Sequence, residues 1–188
     1  MSAAGPILSI REGLSLATGT YTAFNDALTE EEFFYRPPAK WSPAQQTRHL
    51  IIATRTAKIA YRLPGFIVRW VGGRPKRPSR SYEELVERYR ERLREGGRAA
   101  GRYIPRPVPA SYGKEKMLKE FTMAMQKFGE AVEKGPLRNQ LDNYLAPHPL
   151  LGKVTLRELG YFTIYHSYHH LENIRKMTRP ESVTVARG

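Results

Sequence analysis

The sequence predicts an all-α protein, a bundle of long helices with one additional charged helix between the second and the third. Three observations carry that expectation. Apolar residues recur at steps of three and four over separate stretches, which lays a continuous stripe along each helix. Capping boxes open several of these stretches, and proline or glycine pairs close them. The length, 188 residues, suits one ordinary domain with a substantial core. Residues 1–180 are read as that domain, and 181–188, which lack any periodic pattern, as a mobile tail.

The first helix is expected from about Leu8 to Leu28, with Ile10, Leu14, Ala17, Tyr21, Phe24 and Leu28 on one face. Thr29 and Glu32 form a capping box for a short turn that Pro37-Pro38 ends. Ser42, Pro43 and Gln45 open the second long helix, which Pro64-Gly65 stops. Phe66, Ile67, Val68, Trp70 and Val71 then run into the basic segment Gly72–Arg80, and the glycines and prolines read as a loop. Its apolar half is expected to tuck against the bundle; the alternative is a contact with an anionic membrane or with phosphates. Ser81 and Glu84 open a charged helix from Tyr82 to about Glu95, whose only apolar edge is Tyr82, Val86, Tyr89 and Leu93. After an extended connector at Pro105, Pro107 and Pro109, a helix from about Lys114 to Lys134 buries Met117, Phe121, Ala124, Phe128 and Val132. Residues 137–154 form a long connection able to cover a site. Thr155 and Glu158 cap the last helix, which runs to about Met177.

Composition narrows the chemistry. With no cysteine, the chain has no disulfide, thiolate ligand or cysteine nucleophile, so any thiol must be imported. Neither a secretion signal in Met1–Thr20 nor an apolar run of the roughly 18–20 residues that span a bilayer is present, so the expected location is the cytoplasm. The net charge of +13 favours nucleic acid, anionic membrane or an acidic small molecule, or reflects only a solvated basic surface.

Four of the five histidines lie between His148 and His170; the fifth is His49. At about 100° per residue, His49 sits mid-stripe beside the small residues Ala53 and Ala60. On the last helix His166 and His170 fall roughly 20° either side of the apolar centre, with His169 at the edge. The predicted metal ligands are therefore His49, His166 and His170, a set that leaves a coordination position open. His148 and His169 stay open as an extra ligand or a partner of the ligands, and His148, before Pro149, also reads as a turn residue. For orienting the histidines' second nitrogens, Asn173 on the expected inward face and Gln46 are the candidates. No spacing decides a general base among Glu172, Asn173, Asp142 and Gln46.

The segments Trp41–Leu50, His148–Gly152 and His166–Ile174 resemble the DinB-like superfamily. The resemblance implies a four-helix bundle with up-down-down-up connections and a divalent metal, zinc or nickel, held by three histidines. These map onto His49, His166 and His170. It further implies metal-dependent transfer reactions that use low-molecular-weight thiols, and frequent dimers. The charged helix at 82–95 exceeds the family's usual connection. The function expected is a metal-dependent enzyme, a thiol transferase or hydrolase acting on a small-molecule substrate. The alternatives are a non-catalytic basic module for nucleic acid or anionic membrane, ranked behind that substrate, and a bundle with a purely structural metal. A second apolar face on the last helix, Tyr161, Ile164, Tyr165, Tyr168 and Leu171, must also be covered. A homodimer is the expected cover, with the charged helix as the other option.

Overall fold

The computed structural model describes residues 9–179. The expectations for a helix start at Leu8 and for the tail 181–188 lie outside the described residues. Four long helices make the frame: α1 (Ile10–Asp26), α3 (Pro43–Arg62), α6 (Lys114–Lys134) and α7 (Leu156–Thr178). Between them come α2 (Glu30–Phe34), α4 (Gly65–Gly72) and α5 (Tyr82–Arg94). The capping boxes at Thr29, Ser42, Ser81 and Thr155 all form, and Ser9 with Glu12 adds another at the start of α1.

α1 and α3 each pack on both α6 and α7, so the long helices form a ring in the order α1, α6, α3, α7. Its centre is aromatic. Tyr21 meets Phe121 at 4.7 Å between ring centres, and Tyr61 meets Phe128 at 5.1 Å. The buried phenols have partners: Tyr21 shares a hydrogen bond with Thr47, and Tyr61 donates to the Leu156 carbonyl. Burial of each such phenylalanine is worth about 1.5–3 kcal/mol. The exposed Arg92–Glu95 and Arg94–Glu87 pairs of α5 are screened by water and contribute little. The aromatic core thus outweighs the surface charge pattern.

Two features depart from the sequence reading. Residues 65–72 form a helix rather than a loop, and its apolar residues do not all tuck in. Val68 is buried, while Phe66 and Trp70 face solvent. α4 lies so close to the strand that follows α6 that a β-carbon at Gly72 would fall 1.8 Å from the Leu145 carbonyl oxygen. In the basic half, Arg77 and Arg80 are the residues that are held. Glu158, wholly buried, accepts from Arg77 at 2.6 and 3.0 Å and from the Arg80 backbone N–H at 2.8 Å. Burial alone would raise the Glu158 pKa, but these bonds and the Thr155 N–H hold it below its ordinary value.

The second departure is an antiparallel hairpin, β1 (Leu145–His148) with β2 (Gly152–Thr155), inside the long connection. It feeds directly into α7. The outer face of α7 is met within the chain: Tyr82 packs on Tyr161, Tyr89 on Phe162 and Tyr165, and Arg90 donates to the Tyr165 hydroxyl. Ile164 is buried, whereas Tyr161, Tyr165 and Tyr168 keep partial exposure. Among the described residues no helix is long and apolar enough to cross a membrane.

Candidate metal centre

α3 and α7 pack side by side and bring three histidines together. His49 lies two turns into α3; His166 and His170 lie one turn apart on α7. All three are buried, at 5–6% exposure. Their Nε2 atoms face one another: His166 Nε2 stands 3.1 Å from His49 Nε2 and 3.1 Å from His170 Nε2. All three ligand atoms lie within 4.8 Å of one another.

The second nitrogens settle what these atoms are. His49 Nδ1 donates to the Tyr103 carbonyl at 2.6 Å, since a carbonyl only accepts. His170 Nδ1 donates to Gln46 Oε1 at 2.9 Å, and Gln46 Nε2 in turn donates to the Trp41 carbonyl. Both neutral rings therefore present an Nε2 lone pair to His166. That nitrogen carries at most one proton, which cannot serve two contacts with good geometry. A cation shared by the three removes the conflict. The 3.1 Å separations also approach the ~3.3 Å expected between tetrahedral nitrogen ligands about 2.0–2.1 Å from zinc. The residues fit a divalent metal.

The electrostatics agree. Burial lowers the pKa of His49, and lowers those of His166 and His170 well below the ordinary value, with neighbouring histidines adding to the effect on the last two. All three are neutral at pH 7, the form that ligates. Trp41 packs on His49 and His170, and Phe162 stacks on His166, which fixes the rings.

A cavity of about 570 Å³ reaches His49 and His166. Its walls are mostly apolar and include Ala53, Ala60, Val68, Leu159 and Phe162. Tyr89 reaches it from α5, and the hairpin supplies His148.

The sequence profile of the DinB superfamily matches residues 14–174, from α1 to the last turns of α7. The chain belongs to the DinB superfamily. Comparison with curated proteins and with solved structures returns no match.

Against this DinB frame the other candidates fall outside the cluster. Asn173, expected on the inward face, is exposed, and it bonds to His169 rather than to a ligand histidine. α7 is packed by α1, α3 and α5, which shifts its buried arc away from Asn173. His169 packs on the edge of Tyr89, and burial pushes its pKa down to about 4. Glu172 is exposed beside Lys176, and Asp142 is held by Arg157 and Ser79. His148 Nδ1 accepts from the backbone N–H groups of Leu150 and Leu151, so it is a turn residue that also borders the cavity. The Tyr103 carbonyl and Tyr89 were not expected. A loop carbonyl leaves no mark in side-chain spacing, and Tyr89 lies on the apolar edge of α5, where the spacing signals packing.

Proposed function

We propose that this DinB-superfamily chain is a metal-dependent enzyme that transfers a small apolar substrate to a low-molecular-weight thiol or hydrolyses it. The observation that carries the reading is the convergence of three neutral, oriented imidazoles beside an apolar cavity. A purely structural ion needs no such cavity. Zinc or nickel suits the all-nitrogen set. When bound, the metal supplies Lewis acidity that lowers the pKa of a water or thiol.

The chain's own residues do the rest. Tyr103 and Gln46 keep the Nδ1 protons in place, so the lone pairs of His49 and His170 stay aimed at one point. The cavity walls exclude water from an apolar substrate. With Nδ1 accepting two backbone N–H groups and burial lowering its pKa to about 4, His148 carries its proton on Nε2 at neutral pH. It offers that N–H to a substrate oxygen at the cavity wall. The thiol comes from outside, since the chain has no cysteine. The same reading includes an up-down-down-up course for the four long helices, supported by a connection between α3 and α6 long enough to return the chain along the bundle.

The test begins with metal analysis of the purified protein beside His49→Ala and His166→Ala. About one ion per chain is expected in the parent, with most of it lost in both variants. Equal metal in all three sinks the reading. Cobalt substitution then separates the branches: a thiolate charge-transfer band on adding a small thiol supports the transferase, and an unchanged spectrum leaves the hydrolase.

A further inference from the structure

Several large apolar residues that the fold leaves in solvent lie on or beside α4. Phe66 and Trp70 stand one helical turn apart on α4, 75% and 87% exposed. Ile59 of α3 and Val71 of α4 are 54% and 47% exposed, and both also line the cavity that reaches His49 and His166. The apolar patch and the rim of the cavity are therefore continuous.

Charge surrounds the patch with one sign. From Phe33 to Tyr82 the chain contains no Asp or Glu. Arg62 precedes α4, and Arg74 and Lys76 follow it; all three are exposed, and among the described residues none is in an ion pair. Arg77 and Arg80 differ, because both pair with Glu158, whose single charge offsets one of their two. Along α3, Lys58 has its pKa lowered by burial and by the charges of Arg62, Lys127 and Arg55, so the cations here crowd one another.

We propose that α4 docks the protein on an anionic lipid surface, with Phe66 and Trp70 entering the boundary between headgroups and acyl chains. Arg62, Arg74 and Lys76 meet the anionic headgroups. An indole and a phenyl ring on a short helix flanked by free cations is the chemistry of a peripheral anchor. A second copy of the chain is a poor occupant, since it would set unpaired cations against their own kind. Phe66 and Trp70 offer a base two stacking rings, but the aliphatic Ile59 and Val71 beside them offer none, so nucleic acid covers less of the patch than lipid does. The patch is small, so attachment is reversible and weakens with salt. Docking places the cavity rim at Ile59 and Val71 against lipid. The consequence that the substrate is lipid-soluble rests on the metal-enzyme reading; the docking itself does not.

The test is sedimentation of the full chain with phosphatidylcholine vesicles and with vesicles that also contain phosphatidylglycerol, at low and raised salt. Binding is expected only to the anionic vesicles and falls as salt rises. Phe66→Ser/Trp70→Ser lowers the partition by about tenfold or more, with metal content and melting temperature unchanged. Brominated lipid quenches the emission of Trp70, read against a Trp70→Phe baseline that reports Trp41 alone. Equal binding of parent and double variant overturns the proposal, as does failure to bind anionic vesicles. Tighter binding to single-stranded or duplex oligonucleotides than to vesicles, lost in the same variant, overturns it in favour of nucleic acid. Loss of metal in His166→Ala with vesicle binding retained leaves the docking standing, and the absence of metal from the parent counts only against the enzyme.

Discussion

At His49 and His170 one ring nitrogen decides what the other does. Each Nδ1 is bonded to an oxygen that only accepts, so each Nε2 is a lone pair aimed at His166. Gln46→Leu keeps the bulk on α3 and removes one of these oxygens. A metal affinity about 10–100-fold weaker is expected, measured by competition with a chromophoric chelator. An unchanged affinity would show that Gln46 does not orient His170. The neutral histidines also set a pH dependence. His148 and His169 titrate near 4 in the folded metal-free protein, below the ordinary 6.5, because burial opposes their charging. Between those values the unfolded chain binds more protons than the folded one, so stability falls as pH drops from 6.5 to about 4. Urea midpoints across that range check this, and a flat profile contradicts it. The three histidines themselves were legible in the sequence, since a helical wheel needs only the local period. Asn173 was misplaced because the buried arc of α7 depends on which helices pack around it.

At the scale of elements, α7 begins with a capping box whose glutamate has a second task. Glu158 receives the Thr155 N–H and also binds Arg77 and Arg80 from the segment after α4. Glu158→Gln strands two arginines next to a buried amide. The arginines are about a third exposed, so a loss near the lower end for broken buried pairs, ~3 kcal/mol, is expected from denaturant unfolding. A change below ~1 kcal/mol would place the pair among ordinary surface bridges. The helix limits at Pro43, Lys134 and Leu156 were readable because caps and breakers act within a few residues. α4 was not, since Pro64-Gly65 and the glycines at its end signal a loop. The hairpin was missed as well. Pro147 argues against a strand, and the pairing that forms it is main-chain.

For the whole molecule, the candidate ion joins α3 to α7, two helices far apart in sequence and adjacent in the ring. Metal at about 100 times its dissociation constant adds ~2.7 kcal/mol to the folded state. For a chain of this size that corresponds to a melting temperature higher by about 5–10 °C. Calorimetry with and without chelator measures the shift, and His49→Ala is expected to abolish it. An equal shift in parent and variant places the ion elsewhere.

The four long helices, the capping boxes at Thr29, Ser42, Ser81 and Thr155, and the three histidines follow from the sequence alone, because periodicity and capping are local properties of the chain. Only the tertiary structure decided that the Tyr103 carbonyl orients His49, that Glu158 gathers Arg77 and Arg80, and that Phe66 and Trp70 face outward. Each of these outcomes depends on where a distant segment passes, and one segment's spacing carries no record of its neighbours.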